Sequence, residues 1–224
     1  DPELRAAILA EPPSEVELNR QGQFIRFVAT RWDRMFVMAG ATPDYEPAPE
    51  KSIAASAARG NRTPQEVAYD YLTEGEDRFL FFPVVGYVHG DHEQIRRLLV
   101  DPGTLLGLGD GGAHCGQIVD AGLPSYMLSH WARDRKRGPG LPLPQLVKMQ
   151  TSETADFFGF HDRGRLQPGL RADVNVIDFD RLRLHQPEIV HDLPAGGRRL
   201  VQRVDGYRAT LVAGTPIFEN GEDT

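Results

Sequence analysis

The stretch T-L-L-G-L-G-D-G-G-A-H, residues 104–114, joins an apolar run to a glycine-rich loop that contains one carboxylate. The run Thr104 to Leu108 has the composition of a strand that is buried on both faces, as in parallel sheets. A carboxylate that directly follows a parallel strand lies where α/β barrels hold their catalytic groups. Asp110 is therefore the leading candidate catalytic residue, and its flanking glycines would let a substrate approach the backbone. Capping of the turn is an ordinary alternative role for an aspartate here.

The same glycines also allow the interpretation of residues 107–112 as a phosphate-binding loop. An aspartate in the middle of such a loop would repel the phosphates that backbone donors attract, and no clear amphipathic helix follows at once. A dinucleotide site is therefore disfavoured.

Helical patterns and apolar runs alternate on both sides of this loop. Capping residues predict helices over 63–73 and 91–103, and an apolar run predicts a buried strand over 79–85. A further helix is predicted over 143–158. This order favours a parallel α/β architecture, either a doubly wound sheet or part of a barrel. The residues expected on the inner faces of the helices are Ile95, Leu98, Leu99, Leu146, Val147 and Phe157 or Phe158.

The pattern changes to β near residue 164. Val and Ile predict a strand over 173–179, and 208–219 reads as two strands that are broken at Gly214-Thr215-Pro216. Asn220-Gly221 predicts a turn. A domain boundary near 160–165 therefore separates an α/β region, 1–162, from a β-rich region, 163–224.

Composition limits the class of protein and its partners. The formal charge is −7, which disfavours nucleic acid as a partner, because that affinity depends largely on clustered Lys and Arg. No apolar stretch is long enough to span a bilayer, and the polar start lacks the core of a signal peptide. A soluble, cytoplasmic protein is expected. The opening in mid-helix without Met suggests a fragment.

Several other residues invite a functional interpretation. His89, Asp91 and His92 are possible metal ligands, although Asp91 also fits as a helix cap. His114 is a weaker candidate for binding substrate or metal. Cys115 is the single cysteine, has no recognisable base partner and is expected to be idle.

Two further groups are expected to have no catalytic role. Ser125 and Ser129 lack the G-x-S-x-G pattern of a serine hydrolase. The basic residues Arg133, Arg135, Lys136 and Arg137 are expected to form a solvated loop.

Four stretches resemble, in the same order, motifs of the amidohydrolase superfamily, specifically the N-acyl-D-amino-acid deacylase (D-aminoacylase-like) branch. G-D-G-G-A-H at 109–114 resembles that branch's S-D-G-x-x-H, with Gly109 in place of Ser. L-S-H-W-A-R-D at 128–134 resembles the helix that follows. Residues 164–178 are similar to the return from barrel to β-domain, G-x-L-x-x-G-x-x-A-D-L-x-V-x-D, and residues 192–214 to the end of the family's chain.

This resemblance implies the C-terminal part of a (β/α)8 barrel followed by β-rich accessory elements. It also implies one or two divalent metals, usually zinc, and hydrolysis of an N-acyl-D-amino acid or a related small-molecule amide. By motif match Asp110 accepts the proton of the attacking water and passes it to the leaving amine; it is also a candidate metal ligand. The loops 40–50 and 111–124 are expected to set specificity.

The family's other metal ligands lie upstream of the first matching motif, so they are missing here. A whole barrel takes roughly 250 residues, more than this chain devotes to that region. The chain alone is therefore expected to be inactive and not to hold zinc tightly. Its expected partner is the rest of the parent enzyme or a second copy. The rival interpretation is a non-catalytic assembly fragment that pairs through exposed sheet edges.

Overall fold

The structure is a computed structural model that describes residues 1–12, 20–107, 109–112, 116 and 118–224. It contains both helices and sheets, as the α/β prediction requires. The residues group into two units, Asp1–Ala39 with Asp44–Gln94, and Gly40–Pro43 with Ile95–Thr224. The boundary near 160–165 stays a prediction. Among the described residues no helix has the length and apolar composition needed to cross a membrane.

The first unit is mainly helical. Its buried core contains Met35, Ile53 and Ala68, against which Leu80 and Phe82 pack. Its regular elements are α1 (Pro2–Ala10), α2 (Arg20–Thr30), β1 (Phe36–Met38), α3 (Ile53–Arg59), α4 (Pro64–Thr73) and β2 (Phe79–Phe81).

The start of α4 confirms the capping prediction. The Thr63 hydroxyl accepts the backbone N–H of Glu66 at 3.2 Å, and the Glu66 carboxylate accepts the backbone N–H of Thr63 at 2.8 Å. Two of the helix's otherwise unpaired donors are thereby satisfied. The bond from the Thr63 backbone is also the main reason that the pKa of Glu66 is lowered.

The prediction of two buried parallel strands, over 79–85 and 104–108, is wrong for the residues that the structure describes. The predicted strand 79–85 is shortened to β2, which pairs antiparallel with β1 so that Phe36 faces Phe81. Pro83 follows soon after β2 and has no N–H with which to extend the ladder. Residues 104–107 adopt no strand, because they have no strand partner among the described residues. Every described strand pair is antiparallel.

The second unit packs helices against β-ribbons. Trp131, Leu146 and Leu182 are almost fully buried and share one hydrophobic cluster, onto which Ile177 and Val204 pack. Its helices are α5 (Glu93–Val100, which begins in the first unit), α6 (Leu123–Ser129, continued by a π-helical turn, His130–Asp134), α7 (Leu143–Lys148, continued by a π-helical turn, Met149–Glu153) and α8 (Thr154–Phe157). Its strands are β3 (Val174–Ile177), β4 (Arg183–Leu193), β5 (Gly197–Asp205), β6 (Tyr207–Val212), β7 (Thr215–Glu219) and β8 (Glu222–Asp223).

The predicted helix over 143–158 is confirmed as the continuous stretch 143–157, but its predicted inner face is partly wrong. Leu146 is 0% exposed, whereas Val147 is 44% exposed, because neighbouring residues are offset by about 100° around a helix. Phe157 and Phe158 are also exposed, since the π-helical turn rotates later residues away from the face that a 3.6-residue period gives. In α5, Leu99 is buried as expected, but Leu98 is exposed.

The predicted strands of the β-rich region are confirmed as β3, β6 and β7. They form one sheet in the order β3-β6-β7-β8. Asn220 and Gly221 make the turn before β8, and both have positive φ, 51° and 101°. Asparagine and glycine are the residues that tolerate this conformation best, which is why the pair predicted a turn.

A long hairpin, β4–β5, was not predicted from the strand patterns. The two strands pair with each other in a sheet of their own. Their tip, Pro194–Gly196, places Ala195 at φ 61° and lacks the Asn-Gly signal of a tight turn.

The core of the second unit is testable with two adjacent residues of α7. Leu146→Ala is expected to lower the free energy of unfolding by about 2–5 kcal/mol, because it leaves a cavity in the cluster around Trp131. Val147→Ala, at a largely exposed position, is the matched control and is expected to cost far less. Urea unfolding followed by fluorescence measures both, and equal losses would contradict this packing.

Candidate functional site

Asp110 lies on the surface of the second unit, in the loop 109–112. Its backbone N–H donates to the carboxylate of Asp120 at 3.4 Å. A Cβ on Gly111 would lie 3.2 Å from both the N and Cα atoms of Ala121, so the loop approaches the turn Asp120–Gly122 as closely as a residue without a side chain allows. The exposed carboxylate is thus presented by a loop that is held through its backbone.

The glycine after this contact leaves the loop open. Gly112 has φ +88°, a conformation that favours glycine, and a Cβ there would meet no described residue within 4 Å. The expectation that glycines leave the backbone accessible beside Asp110 is consistent with this geometry. His114 and Cys115 lie outside the described residues.

The turn beside Asp110 is packed from its other side by the hairpin. Gly122 is buried, and a Cβ on it would lie 2.6 Å from Oε1 of Gln202 and 2.8 Å from Cδ1 of Leu184. The amide of Gln202 is itself fixed, since its Nε2 donates to the backbone carbonyl of His185 at 2.8 Å. This support could not be predicted from the sequence, because Leu184 and Gln202 are distant from Asp110 along the chain.

A metal site around Asp110 is not formed by the part of the chain that the structure describes. Within it, Asp110 belongs to no group of three or more His, Cys, Asp or Glu side chains whose ligand atoms lie within 4.8 Å of one another. Among the described residues, those around Asp110 therefore do not fit a metal ion by themselves. The expectation that most ligands are missing from this chain stays a prediction.

The three other ligand candidates, His89, Asp91 and His92, lie in the first unit. His89 is exposed. The carboxylate of Asp91 accepts the backbone N–H of Glu93 at 2.9 Å, which supports its interpretation as a helix cap. His92 is buried, and its backbone N–H donates to the carboxylate of Glu46 at 2.7 Å.

Glu46 is a buried residue that the sequence interpretation missed. It is 2% exposed and places a carboxylate beside the start of α5, where negative charge is favoured by the helix dipole. It lies in the proline-rich loop 40–50, and no local pattern relates that loop to His92. The hydrogen bond from the backbone N–H of His92 gives this buried carboxylate a polar partner.

Ser125 and Ser129 have structural roles, in agreement with the sequence interpretation. The hydroxyl of Ser125 is 3.0 Å from the hydroxyl of Tyr207, and the hydroxyl of Ser129 donates to the carbonyl of Ser125 at 2.9 Å. Both serines are buried.

The expectation of a solvated basic loop is wrong for two of its residues. Arg133 donates to the backbone carbonyls of Phe179 and Leu182, and its guanidinium lies 5.2 Å from the centre of the Phe179 ring. Arg135 lies 4.8 Å from the ring centre of Trp131. Planar guanidinium groups with several donors can stack and bind carbonyls together, so these residues tie the helix end to its surroundings.

Comparison with known proteins identifies several relatives. A model described as the amidohydrolase family matches residues 1–218. Uncharacterised proteins of Mycobacterium bovis and Mycobacterium tuberculosis are 30% identical over 180 residues, which is 77% of this chain and 29% of theirs. The chain thus spans 29% of the length of these relatives.

Solved structures also resemble the chain. A crystal structure of D-aminoacylase is 21% identical, with a TM-score of 0.44 over 85% of this chain and 36% of that chain. The structure of an N-acyl-D-glutamate deacylase from Bordetella bronchiseptica, complexed with zinc and a phosphonate inhibitor, is 23% identical, with a TM-score of 0.42 over 88% of this chain and 37% of that chain.

The bond between Glu46 and His92 yields a stability prediction. Glu46→Ala removes the carboxylate that accepts a buried N–H, so we expect a loss of about 1–3 kcal/mol in the free energy of unfolding. Glu46→Gln keeps an acceptor oxygen and is expected to lose less. Glu50→Ala, at an exposed position of the neighbouring segment, is the control, and a Glu46→Ala protein as stable as this control would refute the role.

Proposed function

Since the chain belongs to the amidohydrolase family, we propose that the full-length gene product hydrolyses the C–N bond of a small-molecule amide and that Asp110 transfers the proton. One observation carries the assignment to Asp110. Its carboxylate is exposed in the glycine loop at 109–112, within the stretch that resembles the branch's S-D-G-x-x-H motif. A proton-transfer group has to be reachable by water and substrate in this way.

Asp110 would act as base and then as acid. The carboxylate accepts a proton from a water molecule while the water oxygen bonds to the carbonyl carbon of the amide. As the C–N bond breaks, the same proton passes from Asp110 to the leaving nitrogen. The carboxylate is thereby regenerated, and the products are a carboxylic acid and an amine.

The substrate class that we propose is an N-acyl-D-amino acid or a related amide. The support comes from the four ordered stretches between 109 and 214 that resemble the D-aminoacylase-like branch. Loops 40–50 and 111–124 are proposed to set the choice of acyl group and amino acid. His114, in the second of these loops, is proposed as a weaker substrate contact.

A divalent metal, zinc by family resemblance, belongs to the same proposal. Asp110 could supply one ligand, but the described residues add no others around it, so the remaining ligands are proposed to lie outside these 224 residues. The same resemblance proposes that residues 1–162 complete a (β/α)8 barrel with a longer chain. Bound zinc would supply Lewis-acid activation of water or carbonyl.

An assembly role is the second candidate function, and one feature of the sheet favours it. Strand β3 lies at an edge of its sheet, and its single neighbour among the described strands is β6. An unpaired edge can hydrogen-bond to a strand of another chain. A second copy or the rest of the parent enzyme would fit this edge.

The catalytic proposal is tested by Asp110→Asn in the full-length gene product. The kcat for hydrolysis of N-acetyl-D-amino acids is expected to fall about 10²–10⁴-fold, because the side-chain amide of asparagine cannot accept the proton from water. The L-enantiomers are assayed in parallel for comparison. Asp101→Asn is the matched control, since Asp101 also accepts a loop N–H, that of Gly103 at 2.7 Å. Equal rates for the two variants would reject a catalytic Asp110.

The metal proposal is tested on the chain of 224 residues alone. Elemental analysis after dialysis is expected to give the same zinc content for the original chain and for Asp110→Ala, since Asp110 joins no described ligand group. Near-stoichiometric zinc that is lost in Asp110→Ala would show that this chain completes the site by itself. The molecular mass of the same samples tests the assembly role. A dimer or larger species is expected if the chain pairs with a second copy, and a monomer would contradict that pairing.

A further inference from the structure

We propose that the hairpin β4–β5 positions the Asp110 loop through the turn Asp120–Gly122, with Asp120 as the positioning residue in direct contact. This inference rests on the proposed function, because it matters only if Asp110 transfers the proton. It assigns to the β-rich region a part in catalysis that does not require contact with the substrate.

The first link joins the loop to the turn. The carboxylate of Asp120 accepts the backbone N–H of Asp110 itself. On either side of Asp110 the loop touches the turn: a Cβ on Gly109 would lie 3.3 Å from the carbonyl oxygen of Asp120, and Gly111 lies against Ala121. Any displacement of the turn therefore moves the backbone on both sides of the reacting carboxylate.

The second link joins the turn to the hairpin. Gly122 lies against the side-chain ends of Leu184 of β4 and Gln202 of β5, so a Cβ at this position would have to displace one of them. Leu184 is 5% exposed, and the amide of Gln202 is hydrogen-bonded across the hairpin. Close-packed contacts of this kind transmit displacements because the interior has little room to absorb them.

The third link makes the base of the hairpin a fixed support. Nε2 of His185 lies 2.8 Å from the carboxylate of Asp205, and the guanidinium of Arg183 lies 2.7 Å from the same carboxylate. The hydrogen bond from His185, followed by that from Arg183, lowers the pKa of Asp205. Both strands are thus joined beside the residues that hold Gly122.

The opposite side of the turn is also anchored. Helix α6 begins directly after Gly122, and its Ser125 meets Tyr207 of β6 through their hydroxyl groups. The turn is therefore held between the hairpin and a helix that is itself fastened to the sheet. Proton transfer needs hydrogen-bond geometry, and a misplacement of about 1 Å can cost on the order of 10²-fold in rate.

The test compares Asp120→Ala, Asp120→Asn and Gly122→Ala in the full-length gene product. Asp120 lies in the loop 111–124 that is proposed to set specificity, but its carboxylate accepts the backbone N–H of Asp110. Asp120→Ala is therefore expected to lower kcat about 10-fold with little change in KM, since it alters the position of Asp110. Asp120→Asn keeps an acceptor oxygen and is expected to restore most of the rate. Gly122→Ala should act like Asp120→Ala by pushing the turn from the hairpin.

Hydrogen–deuterium exchange gives a readout that does not depend on activity. Exchange of a peptide covering residues 109–112 is expected to rise in Asp120→Ala and Gly122→Ala, with exchange in the first unit unchanged. Gly75→Ala is the control, because the one described atom that a Cβ there would meet is Nε of Arg78, at an ordinary 3.8 Å. Asp120 is exposed, so its replacement is expected to leave the core folded.

The possible outcomes separate the two proposals. If Asp110→Asn is inactive while Asp120→Ala and Gly122→Ala resemble Gly75→Ala in rate and exchange, the positioning role is wrong and the proposed function stands. Equal losses in Asp120→Ala and Asp120→Asn would also overturn positioning through a hydrogen-bond acceptor. If Asp110→Asn keeps full activity, the proposed role of Asp110 is wrong, and the positioning role that rests on it is wrong as well.

Discussion

The burial of Trp131 is the constraint on which the second unit depends. Its side chain is 1% exposed, and its carbonyl accepts the backbone N–H of Leu141 at 2.7 Å. That approach is possible because residue 140 is glycine: a Cβ there would lie 2.6 Å from the Trp131 carbonyl oxygen. Large aromatic side chains contribute much of the hydrophobic stabilisation of a core, so this one position stabilises the packing of the helical stretch that begins after the turn Asp120–Gly122.

Arginine side chains extend this anchoring to the β-rich region. Arg133 lies on the same helical stretch as Trp131 and donates to two carbonyls in the segment that leads into β4. Its pKa is raised, chiefly by the hydrogen bond to Asp134. Because a guanidinium is not deprotonated in proteins, its bonds to the two carbonyls do not depend on titration of Arg133. The helix and the hairpin thus meet at two places, near Gly122 and near Leu182, which makes their relative position well determined.

Local signals in the sequence predicted local structure, and features that depend on distant partners could not be predicted. The cap at Thr63 and the turn at Asn220-Gly221 were predictable because their causes lie within four residues. The strand expected at 104–108 does not form in its described part, 104–107, because an apolar run becomes a strand only beside a partner. The bond between Glu46 and His92 joins residues that no periodicity relates. Asp110 could be singled out by its glycines and motif, but its support by Leu184 and Gln202 could not.

A proton-transfer residue has to be held in position, and it acts more strongly where solvent is excluded. The described part of the chain provides the first of these conditions but not the second. The contacts from Asp110 to Asp120 and from Gly122 to the hairpin hold the loop, yet the carboxylate remains exposed. In water, with ε near 80, the electrostatic interactions of a carboxylate are weak, whereas the same group acts far more strongly where solvent is excluded. Residues that cover Asp110 when substrate binds would therefore add catalytic power without altering its position.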